Sequence, residues 1–397
     1  MLGGGRASIY KFSPASQSSS DLFGAIIVEI GGILNVGYMS MKTKMKVLLL
    51  SRYGYLGASS RIRSYQYIPY LKENGIDVRI SPLCGDNYLK AIYAGKKYGW
   101  KKTTEAYIRR LCSFLKAGHF DLLWIEKELF PWIPVIDELL LSFVRVPYVV
   151  DHDDSIVFHR YDLNRKMAVR LTLGRKIYAI MRGAACVIVG NDYIAQRARQ
   201  SGAKRIEYLP SVIDSKRYTV KKNFKSDVFT VGWMGSPSST EYIPVVLPAI
   251  QQLSHVIPIR FLVIGAGKFV HSGVNIDIRD WSEENEISDL HEFDVGIMPL
   301  FKGPKAEGKS GYKLVQYMAC GLPVVASPIG VNTCIVDVGV NGFLPESSEE
   351  WKHVLLLLSG DRQLRERMGK AGRDKVEKKY CIQITGPRLA SILKNSV

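Results

Sequence analysis

The stretch Glu307-Gly-Lys-Ser-Gly-Tyr-Lys-Leu-Val-Gln-Tyr-Met-Ala-Cys-Gly-Leu-Pro-Val-Val-Ala-Ser327 holds a glycine-rich turn, a helical pattern and a buried strand in succession. Leu314, Val315 and Met318 recur at the spacing of one apolar helix face. Ser310 stands where a side-chain oxygen caps the first free N–H groups, and Gly321 with Pro323 closes the helix and opens a strand, so a helix capped by Ser310 and running to Gly321 is expected. Lys309, Lys313 and Gln316 fall at i, i+4 and i+7 on another stripe. Two cations and the positive end of the helix dipole therefore face one place, which suits a diphosphate. A merely solvated basic face would leave the Gly-rich turn without a purpose.

Outward from this stretch, short apolar runs alternate with longer helical segments from Lys46 onward, the pattern of βα units around a parallel sheet. The expected strands of the first half are Lys46–Ser51, Ile76–Ile80, Leu122–Glu126, Tyr148–Asp151, Cys186–Gly190 and Ile206–Leu209. Those of the second half are Phe229–Met234, Arg260–Gly265, Ile276–Arg279, Val295–Met298, Val324–Ser327 and Gly342–Leu344. The polar text after Pro210, through Ser215-Lys-Arg-Tyr and Lys221-Lys-Asn-Phe-Lys, marks the joint. The fold class that follows is α/β, with two Rossmann-like domains facing each other across a cleft between their strand ends. The expected boundaries are an N-terminal extension at 1–41 without fixed structure, a first domain at 42–215, a linker at 216–227, a second Rossmann-like domain at 228–375, and a basic amphipathic helix at 376–397 able to cross back to the first domain.

A chain of 397 residues exceeds the usual size of one core, which agrees with two domains. The six cysteines lie far apart with no CxxC or Cys/His spacing, so neither a metal site nor redox chemistry is indicated, and a reducing cytoplasm suits them. A formal charge of +17 attracts anionic partners without naming them. From Leu89 to Lys116 there are eight Lys/Arg against one Glu, interleaved with Tyr93, Tyr98, Trp100, Tyr107 and Phe114, a composition suited to an anionic membrane surface or to a solvated helical face. No basic helix or aromatic platform of a nucleic-acid-binding type is present. The apolar run Leu22–Met39 carries Glu29, Asn35 and four glycines, a poor composition for a membrane span, and Met41-Lys-Thr-Lys-Met45-Lys reads as an ordinary protein start.

Two further clusters stand at expected strand ends. Gly54 and Gly57, after the first strand, suit either a close approach of backbone N–H groups to an anion or a plain tight turn. Asp151-His152-Asp153-Asp154 follows the fourth strand, where an α/β sheet places reactive groups; proton transfer and helix capping are the main readings, and a metal site lacks further ligands at a recognisable spacing.

The run Tyr312 to Ser327, with its Tyr-Met-Ala-Cys-Gly-Leu-Pro-Val-Val-Ala core, resembles the donor-binding motif of retaining glycosyltransferases of the group 1 type, also called family 4, which adopt the GT-B fold. Gly232-Trp-Met-Gly-Ser-Pro-Ser-Ser-Thr resembles a second motif of that family, and Arg279-Asp-Trp-Ser-Glu-Glu-Asn-Glu leading to Phe293-Asp-Val-Gly-Ile-Met-Pro-Leu a third. The resemblance runs from Met45 to the C-terminus and is strongest from Gly232 to Gly330. It implies a nucleotide-sugar donor, UDP- or GDP-linked, held by Gly235, Ser236, Lys309, Ser310, Gly311, Tyr312, Lys313 and Gln316, with Gly54 and Gly57 at the facing turn. Asp151, His152, Asp153 and Glu307 are the candidate catalytic residues, His152 standing where the family often carries a His on the acceptor side.

The sequence departs from the family at three places. Of the family's acid pair separated by seven residues, Gln316 occupies the second position and Gly308 the first, with Glu307 one step away. Gln316 can accept a ribose hydroxyl through its amide oxygen, whereas Glu307 meets the donor sugar only with a one-residue shift of the loop. Ser236, Ser238 and Ser239 replace the family's Arg and Lys after Gly235. The implied activity is transfer of a sugar to an acceptor hydroxyl with retention, in assembly of a surface polysaccharide or glycolipid, without a metal or other cofactor. The implied acceptor is a glycan or lipid-linked molecule, and the implied location the cytoplasm or the inner face of the membrane. A non-catalytic nucleotide-sugar-binding protein and a nucleotide-sugar epimerase are the alternatives.

Overall fold

The computed structural model describes residues 44–397 except 97, 135, 165, 226, 268, 270–273 and 275. The expected N-terminal extension at 1–41 lies outside the described residues. Two six-stranded sheets make up the rest, every pairing parallel. The first has the order β2-β1-β3-β4-β5-β6, from β1 (Met45–Leu50), β2 (Ile76–Ile80), β3 (Leu122–Glu126), β4 (Tyr148–His152), β5 (Cys186–Val189) and β6 (Ile206–Tyr208). The second has the order β12-β11-β10-β7-β8-β9, from β7 (Phe229–Met234), β8 (Ile259–Ile264), β9 (Ile276–Arg279), β10 (Val295–Met298), β11 (Val324–Ala326) and β12 (Gly342–Phe343). Each expected strand is present to within a residue or so at its ends. The physical reason is coverage on both faces: Val47 to Leu50, Leu122 to Ile125 and Val295 to Met298 are all buried, so their sequences are continuous apolar runs.

The strand orders reverse between β1 and β3 in the first sheet and between β7 and β10 in the second. At such a switch point the connections leave in opposite directions and open a crevice at the strand ends, where α/β proteins bind ligands. Gly235 follows β7, and the loop carrying Lys309 follows β10, so both flank the crevice of the second sheet.

The two sheets are joined by two adjacent crossings. Ile213 N–H donates to the Tyr380 carbonyl and Ile382 N–H to the Ile213 carbonyl, at 3.2 and 2.9 Å. Beyond this crossing the helix Ile382–Lys394 lies on the first sheet: Ile382, Leu389, Ile392 and Leu393 share a buried cluster with Val47, Leu49 and Trp124, and Tyr67 and Thr385 are hydrogen-bonded at 2.9 Å. Arg373, on the preceding helix Arg362–Lys379, donates to the carbonyls of Ser215, Tyr218 and Ala319 and so ties the linker down.

The basic segment after Leu89 departs from its expected form. In the helix Trp100–Phe114, Ala106, Arg110 and Phe114 face inward, and Tyr107 donates to the Pro131 carbonyl at 2.5 Å. Phe114 shares a buried cluster with Leu50 and Leu123, and Tyr107 packs against it, so both belong to the core side; of the aromatic residues on this helix Trp100 alone is exposed, at 74%. No helix among the described residues is long and apolar enough to cross a membrane.

Candidate functional site

At the end of β7 the chain reads Met234-Gly-Ser-Pro, and Gly235 is needed for a reason the structure makes plain. An added Cβ would lie 2.5 Å from the Trp233 ring and 2.8 Å from Lys313 Cε. The missing side chain lets Lys313 extend past the strand end, with its ammonium 5.1 Å from the Trp233 ring centroid and 3.4 Å from Ser239 Oγ. Ser236 caps the 3-10 helix Pro237–Val245, and its hydroxyl lies 3.0 Å from that of Ser238.

The helix that brings in Lys313 spans Tyr312–Ala319, with Leu314, Val315 and Met318 buried as their spacing predicts. Its cap is corrected: Gly311, not Ser310, is the N-cap residue, in the left-handed region at φ 67°. Glycine is required there, since a Cβ would also lie 2.4 Å from Ile335 Cδ1. With no side-chain cap, the N–H groups of Tyr312 and Lys313 bond to no described residue and point out of the helix end. Lys309 lies against the Tyr242 ring at 5.5 Å. Burial and the neighbouring Lys309 push the pKa of Lys313 down to about 7. Burial lowers that of Lys309 too, against the pull of Asp154. Two lysine side chains thus meet at the mouth of the second sheet, where burial and their mutual repulsion disfavour their charged forms, an arrangement suited to an anion.

On the facing side, Asp151, His152 and Asp153 stand at the end of β4 as expected, but the two acids are held by cations and the imidazole between them is sealed in the core. Arg63 makes a buried ion pair with Asp151 at 2.6 Å. Lys127, itself in the left-handed region at φ 66°, holds Asp153 at 2.9 Å and Asp154 at 3.1 Å. Burial acts to raise the Asp153 carboxyl, and the adjacent Lys127 and Arg63 outweigh it and hold it low. His152 is completely buried, 6.2 Å from the Phe158 ring, and neither ring nitrogen has a partner among the described residues. Burial, with Lys127 nearby, pushes its pKa down to about 3, so the ring is neutral at pH 7 and is not poised to carry a proton.

The halves touch between these two groups. Ser155 N–H donates to the Gly308 carbonyl at 3.1 Å, and Asn191 Nδ2 donates to the carbonyls of Gly308 and Lys309 at 3.2 and 3.3 Å. A Cβ at Gly308 would lie 2.2 Å from Ser155 Cβ, so no side chain, acidic or otherwise, fits there in this arrangement. Glu307 is exposed and its carboxylate meets no described residue. The first-strand turn is also corrected. Gly54 N–H donates to Cys84, Gly57 N–H to Gly54, and Leu56 N–H to the Asp86 carboxylate at 2.9 Å. The N–H groups expected to meet an anion are used internally because Asp86 already fills that turn.

Four residues here were not singled out in the sequence. Gln316 is buried and donates from Nε2 to Tyr218 Oη at 3.1 Å; Tyr218 donates to the buried carboxylate of Glu286 at 2.5 Å, and Trp281 Nε1 donates to the same carboxylate at 2.9 Å. Arg61 of the first half lies over the Trp281 ring at 5.1 Å. Trp281 and Glu286 both fall within the third quoted motif, but nothing local ties them to Tyr218 or Arg61.

Residues 225–361 match the family model described as "Glycosyl transferases group 1". Over residues 225–361 the chain is similar to group 1 glycosyl transferases. The cationic site just described, with Gly235, Lys309 and Lys313, lies inside that matched region. No curated protein matches the chain in sequence. Among solved structures, sucrose-phosphate synthase from Thermosynechococcus elongatus is similar at a TM-score of 0.67 and 15% identity, over 88% of this chain and 98% of the other. HepE of Anabaena in complex with UDP and glucose is similar at 0.64 and 15%, over 88% and 99%. WaaG, a glycosyltransferase involved in lipopolysaccharide biosynthesis, is similar at 0.62 and 15%, over 88% and 99%. The fold of the described chain is GT-B, which places the group 1 domain opposite a second sheet of the same kind.

Proposed function

We propose that this glycosyltransferase moves a sugar from a nucleoside-diphosphate sugar to a hydroxyl of a glycan or lipid-linked acceptor, with retention of configuration. The observation that carries this reading is the convergence of Lys309, Lys313 and the free N–H groups at the start of Tyr312–Ala319 beside Gly235. A diphosphate bound there would supply the negative charge this group lacks and would restore full protonation of both lysines.

Transfer then needs little from the protein beyond orientation and charge. The bond between the sugar's anomeric carbon and the β-phosphate oxygen breaks, the acceptor oxygen forms its bond to that carbon on the same face, and the acceptor's proton passes to the departing phosphate. The negative charge that grows on the phosphate is met by Lys309, Lys313 and the helix end; one preorganised donor of this kind contributes about 3 kcal/mol. No protein base is required, in keeping with the neutral, buried His152 and with Asp151 and Asp153 held by cations. Those groups would shape the floor of the sugar and acceptor pocket. UDP is the favoured nucleotide, since HepE, of the same fold, is described with UDP and glucose.

A place beside an anionic membrane fits the first half of the chain. Trp100, Leu115 and Phe143 are exposed by 74%, 72% and 76%, and Lys96, Lys101, Lys102, Lys116 and Arg145 accompany them. A lipid-linked acceptor in surface polysaccharide or glycolipid assembly at the inner membrane face follows from that placement.

The experiment is a panel of UDP-, GDP- and ADP-sugars, read by thermal shift and by release of the nucleoside diphosphate, with the product anomer assigned by NMR. One donor is expected to raise the melting temperature and to release nucleotide with the acceptor, giving the same anomer as the donor. Binding without turnover on any acceptor would replace the enzyme reading by that of a binding protein. No binding at all would reject the site.

A further inference from the structure

Gln316 stands where the resemblance expects an acid, and an acid, Glu286, stands one hydrogen bond beyond it through Tyr218. Glu286, at the start of the helix Glu286–Glu292, is only 3% exposed and is an acceptor on both oxygens. Tyr218 donates to Oε1 at 2.5 Å, Trp281 Nε1 donates to Oε2 at 2.9 Å, and Arg217 lies 3.5 Å from Oε1. The Tyr218 hydroxyl has a single proton, and it is spent on Glu286. Burial and the neighbouring Tyr312 and Glu286 raise the phenol well above its ordinary pKa, so the proton stays on it.

Toward its other neighbours the Tyr218 oxygen can therefore only accept. Gln316 lies 3.1 Å away and must meet it with N–H; Tyr312 Oη lies 3.5 Å away. The opposite flip would set the Gln316 carbonyl against the lone pairs of the phenol and leave its NH2 without a partner. The carbonyl Oε1 accordingly faces away from Tyr218, and the side chain's one hydrogen bond among the described residues is the one its Nε2 donates.

We infer that Glu286, acting through Tyr218, fixes the polarity of the Gln316 amide so that its carbonyl oxygen is presented to a hydroxyl of the bound nucleotide. Glu286 and Tyr218 are positioning residues in this scheme, and the inference rests on the proposed donor site. Its consequence runs against the family pattern: putting an acid at 316 should harm the protein, because two carboxylates would compete for one phenolic proton. Reversing the relay should repair the harm. In Glu286→Gln the new amide must accept from Trp281 and so donates to the phenol, which then turns its proton toward position 316. A carboxylate at 316 matches that reversed direction; the native amide does not.

The test is a double-mutant cycle of Gln316→Glu and Glu286→Gln on the full chain, with UDP binding measured by calorimetry. Each single variant is expected to bind UDP about tenfold more weakly, and the double variant to return to within about threefold of the native protein. With 2′,3′-dideoxy-UDP, which lacks the hydroxyls, the four proteins should differ by less than twofold, an outcome that a general structural defect would not produce. Additive losses in the cycle, or a Gln316→Glu variant that binds UDP as well as the native chain, would overturn the inference. If the native chain binds no UDP or GDP, the donor-site reading fails first. Urea-unfolding midpoints of the same four proteins then still decide the relay: recovery in the double variant supports it and additive losses overturn it.

Discussion

Replacing Lys313 by Met probes the cationic site most directly. The thioether retains the packing on Trp233 and removes only the charge, so the fold is expected to survive. In the unliganded protein the ammonium has its pKa pushed from the ordinary 10.5 down to about 7 by burial and by Lys309. Because the folded value lies below the unfolded one, the unfolded chain binds more protons between about pH 7 and 10.5. Stability from this group is thus present at high pH and is lost as pH falls toward 7, with a slope of up to ~1.4 kcal/mol per pH unit. A bound diphosphate reverses the preference. At pH 8 only about one lysine in eleven is charged before binding, so the site should take up about 0.9 proton with the nucleotide. Its affinity should fall by up to about tenfold for each pH unit above 7. Calorimetry in two buffers of different ionisation enthalpy measures the uptake. Lys313→Met should lose most of it, keep its unfolding midpoint at pH 7 or raise it, and lose about 10² to 10³ in kcat. Native protein that binds nucleotide at pH 8 without taking up protons, or a Met variant with native uptake and turnover, would refute the placement of the diphosphate.

Other outcomes follow from the same geometry. His152 has its pKa pushed down to about 3 against an ordinary 6.5, so its contribution to stability is lost as pH falls from 6.5; by urea unfolding the native chain should lose about 2 kcal/mol more than His152→Phe between pH 6.5 and 5. Gly235→Ala places a Cβ 2.8 Å from Lys313 Cε, and its nucleotide affinity should fall at least tenfold, about 1.4 kcal/mol, by calorimetry. Gly308→Ala meets Ser155 Cβ at 2.2 Å; steady-state kinetics should show a lowered kcat that Ser155→Gly in the same chain largely restores. Charge reversal to Glu at Lys96, Lys101 and Lys102 should cut flotation with anionic liposomes more than a hundredfold, from about 1 kcal/mol per lysine removed, and leave neutral liposomes unaffected.

The sequence by itself determined the twelve strands and their parallel arrangement, because a strand covered on both faces must be written as an unbroken apolar run, as Leu122 to Ile125 and Val295 to Met298 are. It also brought out Gly235, Lys309 and Lys313, whose spacing follows from a local strand-to-helix turn and needs no knowledge of distant parts. Local pattern misled where two solutions share one composition: Ser310 and Gly311 both suit a helix start, and the contact with Ile335 selected Gly311. Phe114 and Arg110 belong to a basic segment whose inward face only its packing on the first sheet's core reveals. Tertiary structure alone decided the direction of the Gln316 amide and the engagement of the acids after β4. It alone set Gly308 against Ser155, and Arg61 over Trp281. Each of these depends on a partner between 88 and 220 residues away or, for Lys127 and Asp153, on neighbouring strand ends. Hydrogen-bond direction and buried charge balance are properties of such meetings in space, which residue spacing along the chain does not encode.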